Sequence, residues 1–351
     1  MQPIRLSISL ILVFISGSIS LQAQESKAPA TDYKSYNNYD FVAGDKPIFE
    51  DDFRSDQDGE FPSHWDLQSG QAVVNKVKDE MAFSIIEGNY GKVFPRMKTK
   101  EYLPAEFTLE CDHLLQSVNK AYGLVLFLVN NLGKEATLTF NDNNVTYTEQ
   151  SKNLSSQLPD DIRAKSYLDK WNHLALVYRN NQMKVYVNQY RILVIPNLDI
   201  VPVAVKFGGI GSQKSPIIFT NVRIAEGGGM NMLQKLTTDG RIIVHGIKFD
   251  YNKAVIKPES MGILNEIARM LKDNSSDKYE IQGYTDSDGD DAYNLKLSQS
   301  RADAVKSMLV ELGIDASRLK STGYGESHPL TENTSPEGKA TNRRVEFVKV
   351  K

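Results

Sequence analysis

The stretch GYTDSDGDDAYNLKLSQSRADAV, residues 283–305, decides the fold of the C-terminal part of this chain. Just before it, Tyr279 and Ile281 alternate with polar residues up to Gly283, which predicts a strand with one apolar face. A turn rich in Asp and Gly ends that strand. From about Ala292 apolar residues return at helical spacing. The stretch therefore predicts a strand, a polar loop and a helix in that order.

Two charged side chains of this unit suit a ligand that carries both charges. Asp286 lies just past the strand end, a common position for ligand-facing residues in α/β layers. Arg301 lies on the following helix, seven residues after Asn294, so these two share one helix face. A carboxylate binds an ammonium group, and a guanidinium holds a carboxylate through two hydrogen bonds. The alternative is a structural ion pair between Asp286 and Arg301, because surface ion pairs are common and weak.

The same stretch resembles the peptidoglycan-binding signature of OmpA-like and Pal-like C-terminal domains, TD…G…N..LS..RA..V. The resemblance continues upstream in IKFDYNKAVIKPES, residues 247–260, and downstream in GYGESHPL, residues 323–330, and TSPEGKATNRRVEF, residues 334–347. Several blocks agree in order and spacing over residues 240–351. The resemblance implies an α/β (α+β) domain with two helices on a mixed sheet.

The resemblance also implies a ligand and a set of site residues. It places Asp286 and Arg301 at the positions that grip the diaminopimelate of the peptidoglycan stem peptide. Thr285, Asn294 and Arg344 match positions that line or support the pocket. The expected function is non-covalent binding to the cell wall, with no catalytic residue and no cofactor.

Three further segments surround the domains. Residues 1–23 read as a secretory signal, with Arg5 before the apolar run Leu6–Ile15. Residues 24–45 are polar and read as a flexible tether, and residues 227–239 begin with three glycines and read as a linker. The signal predicts export across the inner membrane to the periplasm or the outer membrane, where partner proteins of that membrane would make the link.

Residues 46–226 have a different pattern, with short strand-like runs separated by Gly, Asn, Asp and Pro. This pattern predicts an antiparallel β-sandwich. The run Gly123–Val129 is apolar throughout, and Trp171–Ile192 predicts two strands joined at Asn180 and Asn181, since Asn tolerates positive φ. This hairpin and the opening IFEDDF…FPSHW resemble LamG and concanavalin A-like jelly rolls. The chain is therefore predicted to be multidomain, with an all-β jelly-roll sandwich before the α/β domain.

The sandwich serves either as a spacer or as a module that binds a ligand, and the sequence leaves both roles open. Lectin-like sandwiches bind sugars on aromatic rings. Aromatic residues in strands mostly pack in cores, however, and we favour that interpretation for Trp65, Trp171, Phe127 and Tyr186. A glycan ligand and an adhesive role remain the alternatives.

A secreted carbohydrate-active enzyme is the rival function from another class. A glycosidase needs two carboxylates as acid and nucleophile or base. Glu110 and Asp112 share a strand face, but Leu114 and Leu115 stand where a further acid is expected. We therefore predict no enzymatic activity.

The overall composition excludes some other functions. A formal net charge of −3 gives no support to nucleic-acid binding, which needs a basic face. Glu50, Asp51 and Asp52 could hold a structural calcium ion, although a solvated strand edge is the simpler interpretation. The single cysteine, Cys111, has no partner for an internal disulfide and is predicted to be a buried, inert thiol.

Overall fold

The computed structural model describes residues 39–228 and 240–350. The predicted signal, most of the predicted tether and most of the predicted linker lie outside these residues. Within the described ranges the chain forms a mostly β N-terminal domain and an α/β C-terminal domain. No helix in the described part of the chain is long and apolar enough to cross a membrane.

The N-terminal domain contains, within residues 39–228, thirteen strands in one antiparallel sheet. The strands are β1 (Lys46–Asp51), β2 (Trp65–Val77), β3 (Glu80–Pro95), β4 (Phe107–Leu114), β5 (Leu124–Val129), β6 (Glu135–Phe140), β7 (Asn144–Glu149), β8 (Lys152–Gln157), β9 (Trp171–Arg179), β10 (Gln182–Val187), β11 (Tyr190–Ile195), β12 (Ala204–Gly211) and β13 (Ile217–Glu226). Their order is β11-β10-β9-β4-β13-β3-β12-β5-β6-β7-β8, with β1 on β13 and β2 on β3. The end strands β8 and β11 approach each other, so the sheet nearly closes on itself. The mostly β prediction is confirmed, and the jelly-roll arrangement stays a prediction.

A cluster of aromatic rings fills the interior of this sheet. Trp65 is fully buried, and its ring centroid lies 5.4 Å from that of Phe49 and 5.3 Å from that of Phe207. Trp65 Nε1 donates a hydrogen bond of 2.9 Å to Asp51 Oδ2, which satisfies the buried indole. Of the other aromatic residues predicted to be core, Phe127 and Tyr186 are buried, whereas Trp171 is only partly buried.

The local signals along these strands produce the expected structures. The hairpin between β9 and β10 turns at Asn180 and Asn181, whose φ angles are 50° and 57°. Every residue of β5 is buried, as its unbroken apolar run predicts. Between β8 and β9, where the sequence favours neither a helix nor a loop, the chain makes two short 3₁₀ turns at Asp160–Ile162 and Ala164–Ser166.

The C-terminal domain contains, within residues 240–350, four strands and three α-helices. In chain order these are β14 (Arg241–Val244), α1 (Met261–Asp273), β15 (Lys278–Gly283), α2 (Asp291–Glu311), β16 (Leu319–Gly323), α3 (Pro336–Asn342) and β17 (Val345–Val350). The sheet order is β14-β17-β15-β16, with β15 and β16 parallel and the other pairs antiparallel. The predicted mixed sheet with two long helices is therefore confirmed.

Two strand boundaries differ from the sequence prediction. The first strand, predicted over residues 242–249, ends at Val244, and Phe249 forms only an isolated bridge with Ile256. The last strand, predicted from Asn342, begins at Val345. The preceding residues form the short helix α3, whose N-cap Ser335 accepts a hydrogen bond from the amide of Gly338.

Helix α2 lies very close to the ends of β15 and β16. Its first amides are capped by Asp290, which accepts hydrogen bonds from the amides of Ala292 and Tyr293. Gly283 and Gly323 are register partners on the two parallel strands. A Cβ on Gly283 would lie 2.4 Å from Ser298 O, and one on Gly323 would lie 2.2 Å from Gln299 N. Glycine at both positions lets the helix backbone rest directly on the strand ends.

The end of the predicted tether is ordered and lies between the domains. Tyr39, Phe41 and Val42 are buried, and the rings of Tyr39 and Phe41 lie 5.9 Å and 5.4 Å from the ring of Tyr186 in β10. On the other side, a Cβ on Gly262 of α1 would lie 1.9 Å from Phe41 O. Residues 39–45 thus differ from a free tether because their aromatic side chains pack against the sheet and their backbone packs against α1.

Candidate functional site

The loop that follows β15 is held by backbone hydrogen bonds on both sides. The amide of Tyr284 donates to Arg344 O at 3.0 Å, and the amide of Thr285 donates to Gly325 O at 2.9 Å. The Tyr284 ring stacks on Tyr324 with centroids 5.3 Å apart. These contacts fix the backbone immediately before Asp286.

Asp286 is nearly buried, with 8% of its surface exposed. Its Oδ1 accepts a hydrogen bond of 3.1 Å from the amide of Asp288. Its Oδ2 accepts one of 2.7 Å from Arg343 Nη1, which is also an ion pair. A carboxylate has about four lone-pair sites, so these contacts leave room for a further donor.

Arg301 is partly buried on α2, where the charge of Asp286 acts on its guanidinium. Its Nε donates to Lys253 O at 3.1 Å, and its guanidinium carbon lies 5.0 Å from the centre of the Phe249 ring. Burial lowers the pKa of Arg301 to about 10; the nearby charge of Arg343 acts in the same direction and that of Asp286 opposes it. The group is a cation at neutral pH. Across residues 39–228 and 240–350, its two terminal nitrogens have no hydrogen-bond partner.

Asn294 and Thr285 contribute to the site in different ways. Asn294 Nδ2 lies 3.4 Å from Asp286 O, 3.0 Å from Asp288 O and 2.7 Å from Glu326 Oε2, so it ties the loop to α2. Thr285 is 4% exposed, and its Oγ1 has no hydrogen-bond partner among the described residues. An unsatisfied buried hydroxyl costs about 1–3 kcal/mol, which a bound ligand could recover.

Arg344 supports the loop from behind instead of facing Asp286. It is 5% exposed, its Nε donates to Glu346 Oε1 at 2.7 Å, and its Nη2 donates to His328 O at 2.9 Å. Its guanidinium carbon lies 3.7 Å from the centre of the Tyr284 ring. The structure therefore places it in a supporting position.

Sequence reasoning missed Arg343, the neighbour of Arg344 that pairs with Asp286. The signal was present in the doublet Arg343-Arg344, because successive residues of an extended chain point to opposite sides. If one guanidinium supports the loop from inside, the other must face outward, toward the carboxylate.

Arg343 also reaches the N-terminal domain. Its Nη2 donates to Glu50 Oε1 in β1 at 3.1 Å. Lys248 Nζ lies 3.6 Å from the same carboxylate, and Arg223 Nε lies 3.8 Å from it. Burial acts to raise the pKa of Glu50, but Lys248, Arg343 and Arg223 outweigh it and lower the pKa to about 2. Glu50 is therefore ionised and shared among three cations.

The two carboxylates considered for a glycosidase site are already paired. His173 lies between them, with Nδ1 2.8 Å from Asp112 Oδ1 and Nε2 3.5 Å from Glu110 Oε2. Arg223 Nη1 lies 3.1 Å from Glu110 Oε1. Burial acts to raise the pKa of Glu110, but His173 and Arg223 bring it down to about 2. A glycosidase acid needs a raised pKa instead, so this pair does not resemble such a site.

The acidic run considered for calcium is divided among separate partners. Asp51 accepts hydrogen bonds from Trp65 Nε1 and from the amide of Phe53, while Asp52 pairs with Arg54. Glu50 turns toward the C-terminal domain, as described above. Asp51 is also buried, so the alternative of a fully solvated strand edge does not describe it either. Within residues 39–228 and 240–350 no group of three or more His, Cys, Asp or Glu is placed to hold a metal ion.

Comparison with known proteins relates one part of the chain to an established family. Residues 248–343 match the OmpA family. Outer membrane porin F of Pseudomonas fluorescens is 48% identical over 100 residues, which are 28% of this chain and 31% of that protein. Probable lipoprotein YiaD of Escherichia coli is 42% identical over 103 residues, which are 29% of this chain and 47% of that protein. The chain thus spans less than half the length of either relative.

Solved structures show similarity over a similar share of the chain. The peptidoglycan-associated lipoprotein of Burkholderia pseudomallei is 30% identical, with a TM-score of 0.28, over 30% of this chain and 88% of that one. The cell wall anchor of the T6SS from Pseudomonas aeruginosa is 31% identical, with a TM-score of 0.29, over 32% of this chain and 81% of that one.

Proposed function

Because residues 248–343 form an OmpA-family domain, we propose that this domain binds peptidoglycan without covalent attachment, at Asp286 and Arg301. The ligand group is the diaminopimelate of the stem peptide, whose free end carries an ammonium group and a carboxylate. Asp286 takes the ammonium group, and Arg301 takes the carboxylate through its two terminal nitrogens.

The observation that carries this proposal is a carboxylate and a guanidinium whose charges act on each other although the two groups are not paired. Arg301 is fixed through Nε alone, which leaves its terminal nitrogens for a ligand. Asp286 is held in place by the amide of Asp288 and by Arg343. Thr285 is next to Asp286 in the chain, and its buried Oγ1 has no hydrogen-bond partner among the described residues. Asn294 and Arg344 keep the loop in position.

The domain would serve as an anchor that connects the N-terminal β domain to the wall. Several relatives that match this domain are outer membrane proteins or lipoproteins, which supports a location in the cell envelope. We place the protein in the periplasm or at the outer membrane, together with partner proteins of that membrane. A single site of two charge-assisted contacts is weak, so several copies on a repeating wall would bind far more strongly than one.

Sedimentation with purified sacculi tests the proposal. Asp286→Ala and Arg301→Ala should each reduce the bound fraction at least tenfold, since each removes one charge-assisted contact of about 1.5–3 kcal/mol. Asp273→Ala and Lys320→Ala are matched controls, because both residues are exposed and remove one charge of the same sign away from the site. Free meso-diaminopimelate should compete with the sacculi. Equal sedimentation of all variants, with native circular dichroism, would reject the proposal.

A second candidate function is glycan binding by the N-terminal domain. It is favoured by two exposed tyrosines, Tyr90 and Tyr122, which are 48% and 68% accessible. Exposed aromatic rings are the groups on which sugars stack, whereas the buried aromatic residues of this domain are occupied in its core. A glycan array with the full-length protein and with Tyr122→Ala tests this function; identical signals from both proteins would count against a site at Tyr122.

A further inference from the structure

The guanidinium of Arg343 joins carboxylates from the two domains. Its Nη1 donates to Asp286 Oδ2 at 2.7 Å, and its Nη2 donates to Glu50 Oε1 at 3.1 Å. Asp286 belongs to the proposed wall site, whereas Glu50 lies on β1, outside the residues that match the OmpA family. A residue of the N-terminal domain is therefore one side chain away from the proposed ligand.

The charge balance of the site depends on this contact. Arg343 places a positive charge beside Asp286, and this charge repels a ligand ammonium group. Glu50 offsets part of that charge, although it also lies near Lys248 and Arg223. The side chains of Asp286, Glu50 and Arg343 are 12%, 20% and 38% exposed. Charges so placed interact more strongly than free surface charges, because water screens them less.

Arg343 also competes with the ligand for Asp286. A ligand ammonium group and the Arg343 guanidinium both seek the same carboxylate. Glu50 opposes this competition because it pulls on the other nitrogen of the guanidinium. Glu50 is itself held in place: it is the register partner of Arg223 in the pairing of β1 with β13, and helix α3 lies beside β1.

We propose that Glu50 is a positioning residue for the wall site, supplied by the N-terminal domain, and that it makes the site selective for a ligand with an ammonium group. This inference rests on the proposed function of Asp286 and Arg301. The N-terminal domain would then contribute to the ligand selectivity of the C-terminal domain.

Calorimetric titration of the full-length protein tests the inference with two probes. The first is meso-diaminopimelate, and the second is pimelate, which has the same carbon chain and both carboxylates but no amino group. Glu50→Gln keeps the shape of the side chain and removes its charge. We expect it to weaken the binding of meso-diaminopimelate about tenfold and to leave the binding of pimelate unchanged or tighter.

Asp112→Asn is the matched control. Asp112 is another buried carboxylate that reaches the C-terminal domain, since its Oδ2 lies 3.7 Å from Lys257 Nζ, and it does not touch Arg343. Its removal should change neither affinity. If Glu50→Gln binds both probes like the wild type, or if Asp112→Asn weakens meso-diaminopimelate to the same extent, the inference is wrong.

A second pair of variants, Arg343→Gln and the double variant, covers the case in which Glu50→Gln alone does not fold because three cations are left with less compensation. Arg343→Gln removes the competitor for Asp286, and the double variant removes one charge of each sign. We expect Arg343→Gln and the double variant to bind meso-diaminopimelate equally; a further loss in the double variant would overturn the inference. Failure of the proposed function gives a different result. The wild type would not bind meso-diaminopimelate, or Arg301→Ala would bind it as well as the wild type. Either result would also reject the role of Glu50.

Discussion

The charge of Asp286 acts on the pKa of Arg301, yet the two side chains have different hydrogen-bond partners. Arg343 donates to Asp286 at 2.7 Å, and Arg301 donates to Lys253 O at 3.1 Å. The alternative of a structural ion pair between Asp286 and Arg301, which the sequence left open, therefore does not describe these contacts. Contacts within the protein hold both charged side chains in place.

Replacement of Arg301 by Lys should separate charge from geometry. Lysine keeps the positive charge but cannot both reach Lys253 O through Nε and offer a planar fork to a carboxylate. We expect Arg301→Lys to lose about tenfold in affinity for meso-diaminopimelate, while its melting temperature stays near that of the wild type. Titration calorimetry measures the first quantity and circular dichroism the second. Full retention of affinity would show that charge alone is sufficient.

Loss of the Asn294 amide should loosen the binding loop. Asn294→Ala removes donors to Asp288 O and Glu326 Oε2, which should cost about 1–3 kcal/mol of unfolding free energy and weaken ligand binding. Asn274→Ala is the control, because Asn274 Nδ2 donates to Met270 O at the end of α1, away from the loop. Denaturant unfolding and sacculus sedimentation give the two readouts. Equal effects of the two variants would contradict a specific role of Asn294.

Gly262 allows a test of the packing of residues 39–45 against α1. An alanine inside a helix normally stabilises it by about 0.5–1 kcal/mol relative to glycine. Here the added Cβ would lie 1.9 Å from Phe41 O, so Gly262→Ala should destabilise the protein by about 1–3 kcal/mol instead. Hydrogen exchange at residues 39–44 should also increase. Asn265→Ala, on the same helix, should cause neither effect, and protection of residues 39–44 in Gly262→Ala would refute this packing.

The contact between the two domains should lose stability at alkaline pH, because His173 loses its proton there. Burial disfavours its charged form, but the nearby carboxylates of Glu259, Asp112 and Glu110 raise the pKa of His173 from 6.5 to about 10. A folded-state pKa above the unfolded value means that the stabilisation is complete below pH 6.5 and is lost as the pH rises toward 10. The melting temperature should fall over this range, and the fall should be smaller in His173→Gln. The same pH dependence in both proteins would assign it to other groups.

Cys111 should be unreactive in the native protein. It is fully buried in β4, and burial raises the pKa of its thiol well above the usual value, with the charges of Asp112 and Glu110 acting in the same direction. Ellman's reagent at pH 8 should therefore release no colour from the folded chain and one equivalent after denaturation, because only the thiolate reacts. Rapid reaction under native conditions would mean that β4 is accessible.

The sequence predicts well what depends on neighbouring residues. The strand, loop and helix around Asp286 and the turn at Asn180 and Asn181 follow from local periodicity and from backbone preferences. The contact between Glu50 and Arg343 joins residues far apart in the chain and in different domains. Charge alone cannot indicate such a partner, because any surface acid could pair with any surface base.

The end of the predicted tether and helix α3 show the same limit. Residues 24–45 as a whole look polar and short of aliphatic side chains, yet Tyr39 and Phe41 at their end are buried against Tyr186 and α1. Helix α3 was also missed, since seven residues are too few for a clear helical period. Both depend on surfaces supplied by distant parts of the chain.

The glycine pair at Gly283 and Gly323 limits how this site can change during evolution. With the backbone of α2 in direct contact with both strand ends, no residue with a side chain fits at either position unless the helix moves away. Such a shift would carry Asn294 and Arg301 away from Asp286 together. Side chains around Asp286 can therefore vary in descendants of this chain, whereas the distance between helix and sheet must stay almost unchanged.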